Sequence, residues 1–283
     1  MTLITIVTHD GAPQGVTDDQ LLALAIDGAG ASARCVTWTD SAADWSVSPL
    51  TVVRSTWDYH LKPAAWSAWL NKVERQTLVV NPPALIRWNS DKHYLLDLQS
   101  KGVPIVPSRS VEPGEDVQSS LEGCGWRDVV IKPVFGASSF CVKRFRDGQI
   151  PVEAVAHIET LHASGAALIQ PYQSTIEYER ERSLVYIDGT FSHAFTKPAF
   201  HAGLGDDDKL ERYNPTSDER YLAELVLGQL VERPIYARID MLPDVNGPVL
   251  MEAEFVEPEL ALHLSAGSAD RLAASLVRRA GHY

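Results

Sequence analysis

Cysteine is scarce in this chain: three in 283 residues, at positions 35, 124 and 141, with no Cys-x-x-Cys pair. An odd number at unrelated spacings argues against a disulfide framework and a zinc site, and leaves buried thiols as the expectation. Long apolar runs are missing too. Nothing approaches the roughly 18 residues of a membrane span, and the chain enters the strand-like Leu3-Ile4-Thr5-Ile6-Val7 without a basic region or cleavage site. A cytoplasmic location and no membrane partner are expected. Positive charge is in deficit, with 25 Lys and Arg against 37 Asp and Glu for a net charge of -12. That balance disfavours nucleic acid and anionic lipid, both of which need basic patches. It does not disfavour a nucleotide, which needs only a few local cations and a metal. No Ser/His/Asp or Cys/His constellation supplies a protein nucleophile.

What is present is an ordinary globular composition, 45% hydrophobic and 22% charged, enough for two or three packed subdomains. Strand-like segments at 3–7, 33–38, 50–53 and 78–80 alternate with helical patterns at 17–29 and from Pro63, where Trp66, Trp69, Leu70 and Val73 recur at helical spacing. The alternation predicts an open parallel α/β sheet, with ligands at the carboxyl ends of its strands. One such end carries Arg54-Ser55-Thr56-Trp57-Asp58-Tyr59-His60. Its charges and hydrogen-bonding groups could hold a small zwitterion, and a polar loop capping the sheet is the plain alternative.

The rest of the chain turns on Arg238 to Pro258, where alternating apolar and acidic residues flank a Pro/Asn/Gly turn. Two antiparallel strands of this kind place Arg238 and Asp240 on one face and Glu252 and Glu254 on one face, neighbours along a strand being roughly 7 Å apart. Whether the two faces coincide depends on the turn. A two-residue loop at Asn246-Gly247 pairs 240 with 253 and separates the acids. A three-residue loop, Val245 to Gly247, pairs 240 with 252 and gathers them, and it is the expectation here. Three converging carboxylates repel one another unless a cation lies among them, and hard oxygen ligands suit Mg²⁺ or Mn²⁺.

Other motifs line up around this hairpin. Asn89-Ser90-Asp91-Lys92 reads as a helix start capped by Asn89 or Ser90. Val129 to Pro133 is a strand carrying Lys132, followed by the small-residue loop Phe135-Gly136-Ala137-Ser138-Ser139 and a strand from Phe140 to Lys143. Small residues let backbone amides approach phosphate oxygens, although a plain hairpin turn explains the run as well. A helix over roughly 152–163 precedes a strand from Ala167 that ends in Gln170-Pro171-Tyr172. The Asp188-Gly189 signal closes a hairpin from Ser183 to Lys197, in which a two-residue loop puts Arg182 and Lys197 on one face. His193 reads as a packed strand residue. Residues 199 to 217 lose periodicity and read as disordered or as a lid. Thr216 and Glu219 form a capping box, and Ser268 caps a last helix through Arg279.

This order of parts resembles the ATP-grasp superfamily of carboxylate-amine ligases over about residues 81–283. The resemblance implies an N-terminal α/β substrate subdomain (1–88) and two α+β lobes (89–168 and 169–283) enclosing ATP. It places Lys92, Lys132 and the Gly136, Ser138 and Ser139 loop at the phosphates, Gln170 and Tyr172 at the adenine, Glu181 at the ribose, Lys197 among the nucleotide-binding residues and Lys209 in the lid. Asp240, Glu252 and Glu254 correspond to ligands for one or two Mg²⁺ ions, with Mn²⁺ as a substitute; the last position is commonly asparagine in the superfamily. Arg238 corresponds to the arginine that meets the reacting carboxyl phosphate. Within the superfamily, Arg54 to His60 followed by Asn81 to Lys92 is similar to the D-cycloserine synthetase group, close to glutathione-synthetase-like ligases. That likeness implies activation of a small amino-acid-like carboxylate for attack by an amine, within one molecule or between two, with Arg54, Ser55 and Asp58 holding the amino acid. A non-catalytic nucleotide-binding regulator and a small-molecule phosphotransferase stay open as readings, as does a homodimer.

Overall fold

The structure is a computed structural model that describes residues 1–147, 150–198 and 210–281. Among these residues no helix is long and apolar enough to cross a membrane. The chain begins with β1 (Leu3–Thr8), α1 (Thr17–Gly28), β2 (Ser32–Thr37), β3 (Leu50–Val53), α2 (Pro63–Val73) and β4 (Leu78–Val80), each where the periodicity placed it. The four strands are all parallel in the order β2-β1-β3-β4. Leu50 to Val53 is buried throughout, as a strand covered on both faces must be. α2 opens on Pro63, whose missing N–H costs nothing in a first turn, and buries Trp66, Trp69, Leu70 and Val73. Trp66 and Trp69 stack 4.7 Å apart, and Trp38 meets Trp66 edge-on at 5.5 Å. This aromatic layer stiffens the base from which Arg54 to Tyr59 projects.

The second group contains α3 (Pro83–Asn89), α4 (Tyr94–Ser100), β5 (Arg109–Val111), α5 (Val117–Cys124), β6 (Val129–Pro133), β7 (Lys143–Phe145), α6 (Val155–Leu161) and β8 (Ala167–Pro171). Its sheet is antiparallel in the order β5-β8-β6-β7. Two expectations change here. Asn89 ends a helix instead of starting one, because Pro82 and Pro83 set the first turn of α3 six residues earlier. Its buried amide is spent elsewhere: Nδ2 donates to Ala253 O at 2.7 Å, and Oδ1 accepts from Phe255 N at 2.7 Å. The strand expected from Phe140 begins only at Lys143. Ser138, Ser139 and Cys141 take φ of 51°, 56° and 56°, a left-handed backbone that no ladder accommodates.

The third group comprises α7 (Ile176–Glu179), β9 (Glu181–Ile187), β10 (Thr190–Lys197), β11 (Glu211–Tyr213), α8 (Ser217–Gly228), β12 (Tyr236–Asp244), β13 (Gly247–Glu254) and α9 (Ser268–Ala280). Its five-stranded antiparallel sheet runs β11-β10-β9-β12-β13. α8 carries the expected capping box, Glu219 N donating to Thr216 Oγ1 and Thr216 N to Glu219 Oε2. Ser268 is the first residue of α9, not its cap; Gly267, at φ 74°, precedes the helix, and Ser268 Oγ donates to Leu262 O. α9 packs along α1, so Leu272, Ala273 and Leu276 share a core with Ile4, Leu22 and Ile26. Of the stretch expected as a lid, residues 211–213 pair with β10. Its remainder from 199 to 209, with Lys209, lies outside the described residues.

Asn81 joins the first sheet to the third. Fully buried, it donates from Nδ2 to Tyr236 O and Phe255 O at 2.9 and 2.7 Å and accepts from Ile235 N at 2.6 Å. Asn81→Ala leaves three backbone groups unpaired, and an expected loss of about 3–4 kcal/mol follows from the penalty for orphaned buried groups. Urea denaturation of the two proteins measures it.

Candidate active site

The hairpin of β12 and β13 pairs Asp240 with Glu252 and Arg238 with Glu254, so all four side chains share one face of the sheet. The expected pairing is therefore present, for a different reason. Asp244 pairs with Gly247, which leaves only Val245 and Asn246 in the turn. Continued without interruption, that register would set Asp240 opposite Met251 and turn both glutamates away. A β-bulge at Met251 shifts the ladder by one residue and restores the 240–252 pair.

A second bulge does the same for the neighbouring hairpin. The ladder of β9 and β10 slips by one residue between Phe191 and His193, so Lys197 pairs with Glu181. The expectation that Lys197 and Arg182 share a face is thereby overturned. Arg182 points to the opposite side, where it pairs with Glu219 of α8. Ser183, opposite Asp240, completes the charged face and donates from Oγ to Asp240 Oδ1 at 2.6 Å. His193, as expected, is a packed strand residue; its Nε2 lies 2.8 Å from Leu260 O.

This face forms the floor of a cleft of about 600 Å³ between the second and third sheets, which also opens onto the first. Its charges neutralise one another in detail. Lys132 Nζ lies 2.6 Å from Glu252 Oε1, with Lys92 Nζ 4.0 Å from the same oxygen. Lys197 Nζ lies 2.9 Å from Asp240 and 3.1 Å from Glu181, and Arg238 pairs with Asp240 and Glu254. Cations do lie among the carboxylates, as the repulsion argument required, and in this structure they are lysine and arginine.

Asp240 is wholly buried and does not line the cleft, although it shares a face with the glutamates that do. Burial pushes its carboxyl up, but Arg238 and Lys197 outweigh that and hold it well below the usual range. The same competition, won by Lys132 and Lys92, holds Glu252 at about 2. Glu254 goes the other way, raised by burial and by Asp240 against the pull of Arg238. Burial, only partly offset by Lys197, brings Glu181 to about 7.

The remaining expected residues fall at two edges. Gly136 sits where a Cβ would lie 2.9 Å from Pro133 Cγ, and its carbonyl accepts from Lys92 Nζ at 2.8 Å. Ser138 and Ser139 follow, exposed on the cleft rim in their left-handed conformations. Backbone strain of this kind collects at ligand sites. Gln170, buried, donates from Nε2 to Ser108 Oγ at 2.8 Å, and Tyr172 lines the cleft with the Arg144 guanidinium 3.3 Å from its ring centroid.

At the first sheet the outcome is mixed. Arg54 and Ser55 line the cleft: Arg54 Nη2 donates to Pro258 O while its Nε and Nη1 have no hydrogen-bond partner among the described residues, and Ser55 Oγ donates to Asp19 Oδ2. Asp58 does not line the cleft. Its Oδ1 accepts from Trp38 Nε1 at 2.6 Å, a partner 20 residues away that no local pattern announces.

Reading the sequence missed Asp18, Asp19, Trp57, Glu257 and His263, all of which line the cleft. The two aspartates fall in the first turn of α1, where an acid needs no further reason. In the fold Asp18 accepts from Leu260 N and Leu262 N at 2.9 and 2.8 Å, across more than 240 residues of chain. Glu257 carried one signal, an acid in the Glu-Pro-Glu run directly after the hairpin. Burial, then the neighbouring Glu254, pushes it up to about 8 against Lys92 and Arg238. Between its ordinary 4.5 and about 8 the folded protein keeps a proton that the unfolded chain has released, so stability falls as pH rises through that window. Glu257→Gln removes this loss. Against wild type, the variant gains of order 1 kcal/mol at pH 8.5 and nothing near pH 4, solvent in the cleft screening the full effect. Urea midpoints at the two pH values test the slope.

Residues 4–81 match the family described as the N-terminal domain of the D-cycloserine synthetase DcsG. The cycloserine biosynthesis protein DcsG of Streptomyces lavendulae is 31% identical over 268 residues, covering 88% of this chain and 89% of that protein. A crystal structure of D-cycloserine synthetase DcsG superposes with a TM-score of 0.90 at 29% identity, covering 98% of this chain and 99% of its own. An ATP-grasp RimK-domain protein from Sphaerobacter thermophilus superposes with a TM-score of 0.72 at 18% identity, over 98% of this chain and all of its own. The arrangement of three sheets around one charged cleft is the ATP-grasp fold.

Proposed function

Because the chain belongs to the D-cycloserine synthetase DcsG family, we propose that it is an ATP- and Mg²⁺-dependent ligase or cyclase acting on a small amino-acid-like carboxylate. The observation that carries the reading is the single charged face on which two bulged hairpins align Lys197, Arg238, Glu252 and Glu254 beneath Lys92 and Lys132 of the facing lobe. Closure of the ring within one substrate molecule, as in D-cycloserine formation, is the form that the family membership favours.

The donor set suits the implied metal. Glu252 and Glu254 present hard carboxylate oxygens to the cleft, with Asp240 directly beneath, and such ligands favour Mg²⁺ or Mn²⁺ over softer ions. When bound, ATP supplies the γ-phosphoryl group that turns a carboxylate into an acyl phosphate, and Mg²⁺ neutralises charge on the phosphate oxygens.

The chain's own residues do the rest. Lys92, Lys132 and Lys197 converge on the cleft and offer ammonium groups to phosphate oxygens, while Gly136 to Ser139 cover them without side-chain bulk. Gln170 and Tyr172 would hold the adenine and Glu181 a sugar hydroxyl, all three lining the cleft. Arg238, held rigid by Asp240, Glu254 and Glu259 O, stabilises negative charge developing on the carboxyl oxygen. Glu257, beside this arginine, takes the proton that an attacking amine sheds once its own carboxyl has ionised, a form that grows as pH approaches about 8.

A screen of amino acids and their O-substituted derivatives for Mg²⁺-dependent phosphate release tests the proposal. The expected result is stimulation by one carboxylate, with its amide or cyclic product appearing in step with ADP. Hydrolysis that never rises above background across the screen, or a product that retains the phosphate, overturns it.

A further inference from the structure

The two ends of the cleft differ in charge. On the third sheet, Glu181, Asp240, Glu252 and Glu254 are matched by Lys92, Lys132, Lys197 and Arg238, so that end balances as it stands. The end against the first sheet does not. Asp18, Asp19, Glu257 and Glu259 line it, and among the described residues Arg54 is the one permanent cation of the cleft not already engaged at the other end. Glu257 keeps its proton up to about 8, and the remaining acids still outnumber the guanidinium.

Asp19 and Arg54 are 0% and 2% exposed, yet they do not satisfy each other. Arg54 Nε lies 3.7 Å from Asp19 Oδ1 and Nη2 lies 3.9 Å from Asp18 Oδ2, both too far for a hydrogen bond. Asp18 spends its two oxygens on Leu260 N and Leu262 N, and Asp19 Oδ2 accepts from Ser55 Oγ and Val16 N. Asp19 Oδ1, Arg54 Nε and Arg54 Nη1 are left buried at the cleft wall without a partner among the described residues. Buried polar groups are nearly always paired, so three unpaired at one point of a cleft call for a ligand. Burial raises both aspartates against the pull of Arg54, as it does for carboxylates whose charge no neighbour fully answers.

We propose that Asp19 and Arg54 form the subsite for the amino end of the substrate: Asp19 Oδ1 accepts from a free ammonium group, and Arg54 Nε and Nη1 donate to an oxygen carried beside it. The inference rests on the ligase reading above and narrows its substrate to an unacylated amino acid with a side-chain oxygen. Charge sets the orientation. A carboxylate entering here adds to an excess of acid, whereas at Arg238 it meets a cation; an ammonium group has the opposite preference. Spacing agrees. Arg54 holds Pro258 O and Arg238 holds Glu259 O, each at 3.0 Å. Neighbouring residues lie about 3.8 Å apart at Cα, so one small molecule spans the distance from Asp19 to the arginine at the reacting carboxyl.

O-Methylserine and 3-methoxypropionate, which differ only in the ammonium group, serve as probes, with norvaline as the analogue in which carbon replaces the oxygen. Titrations on the full chain with ADP and Mg²⁺ are followed by saturation-transfer difference NMR, each chiral probe as separate enantiomers. In wild type the better enantiomer of O-methylserine is expected to bind at least about 10-fold more tightly than 3-methoxypropionate or norvaline, the worth of one hydrogen bond to a charged group. N-Acetylation is expected to abolish binding. Asp19→Asn brings O-methylserine down to the level of 3-methoxypropionate; circular dichroism checks that this variant folds, and the wild-type comparison decides the matter without it. Equal binding of O-methylserine and 3-methoxypropionate, or no binding of O-methylserine, overturns the subsite, and equal binding of norvaline removes Arg54 from it. ADP binding is read in the same samples. If ADP binds and the probes do not discriminate, the ligase reading stands and the subsite is wrong; if ADP fails to bind as well, both fall.

Discussion

Arg238→Met lowers kcat by about three orders of magnitude and changes the Kd for ADP by only a few-fold. The first figure is what loss of a preorganised donor to a developing oxyanion costs, roughly 10²–10³ for a single hydrogen bond and more for a charged fork. Arg238 is buried, and three neighbours hold it in one geometry: Asp240 at 2.9 Å, Glu254 at 2.5 Å and the carbonyl of Glu259 at 3.0 Å. No reorganisation is needed at the moment charge develops. The same burial carries a second cost. Methionine leaves Asp240 and Glu254 without their shared cation, which lowers stability by about 3–5 kcal/mol. Arg238→Lys separates the two effects: one ammonium keeps a charge beside Asp240 and recovers much of the stability, but it cannot span both carboxylates and the Glu259 carbonyl, so kcat stays low. Thermal melts and steady-state kinetics on both variants check this, and an active methionine variant would remove Arg238 from the chemistry.

Glu252→Gln has the second-largest effect expected. The substitution keeps the shape and one acceptor oxygen but removes the charge that a hard divalent cation requires, so the Mg²⁺ concentration for half-maximal rate rises at least about 10-fold and kcat falls by about 10²-fold. At neutral pH stability falls by about 1–2 kcal/mol, because Lys132 keeps a hydrogen-bond acceptor but loses the charge paired with it, in a cleft that solvent partly screens. Acid behaviour distinguishes the two proteins further. Burial raises the wild-type carboxyl, and Lys132 and Lys92 pull it down to about 2 from its ordinary 4.5. Its contribution to stability is thus complete above pH 4.5 and lost as pH falls toward 2, and the glutamine variant lacks that acid-side decline. Mg²⁺ titrations of initial rate, with urea midpoints at pH 3 and 7, measure both consequences.

Much of the fold lay open in local patterns. Three of the four parallel strands, β1, β3 and β4, announce themselves by short runs rich in Leu, Ile, Val and Thr, α2 by its tryptophan spacing, and α8 by a capping box in which Thr216 and Glu219 satisfy each other. Those signals are short-range, so neighbouring residues are enough to express them. The helix start assigned to Asn89 or Ser90 failed for the complementary reason: α3 ends there, and α4 begins only after His93. A capping residue and a residue that pairs with the edge of β13 look alike in one dimension, and the bonds to Ala253 and Phe255 span more than 160 residues. Asp58 and Arg182 failed in the same way, each drawn to a partner on another element, Trp38 and Glu219.

The residue types of the site, three lysines, one arginine and the acids of three strands, were determined by the sequence, together with most of the elements that carry them. Which of those groups face one another was decided only by the tertiary structure. Side chains alternate along a strand, so one extra residue at Met251 and another near Ser192 sends every following charge to the other face. A bulge is stabilised by its whole surroundings and leaves no composition of its own. Burial works likewise. The proton of Glu257 and the pairing of Asp240 follow from how little water and how many neighbouring charges the folded cleft allows each of them.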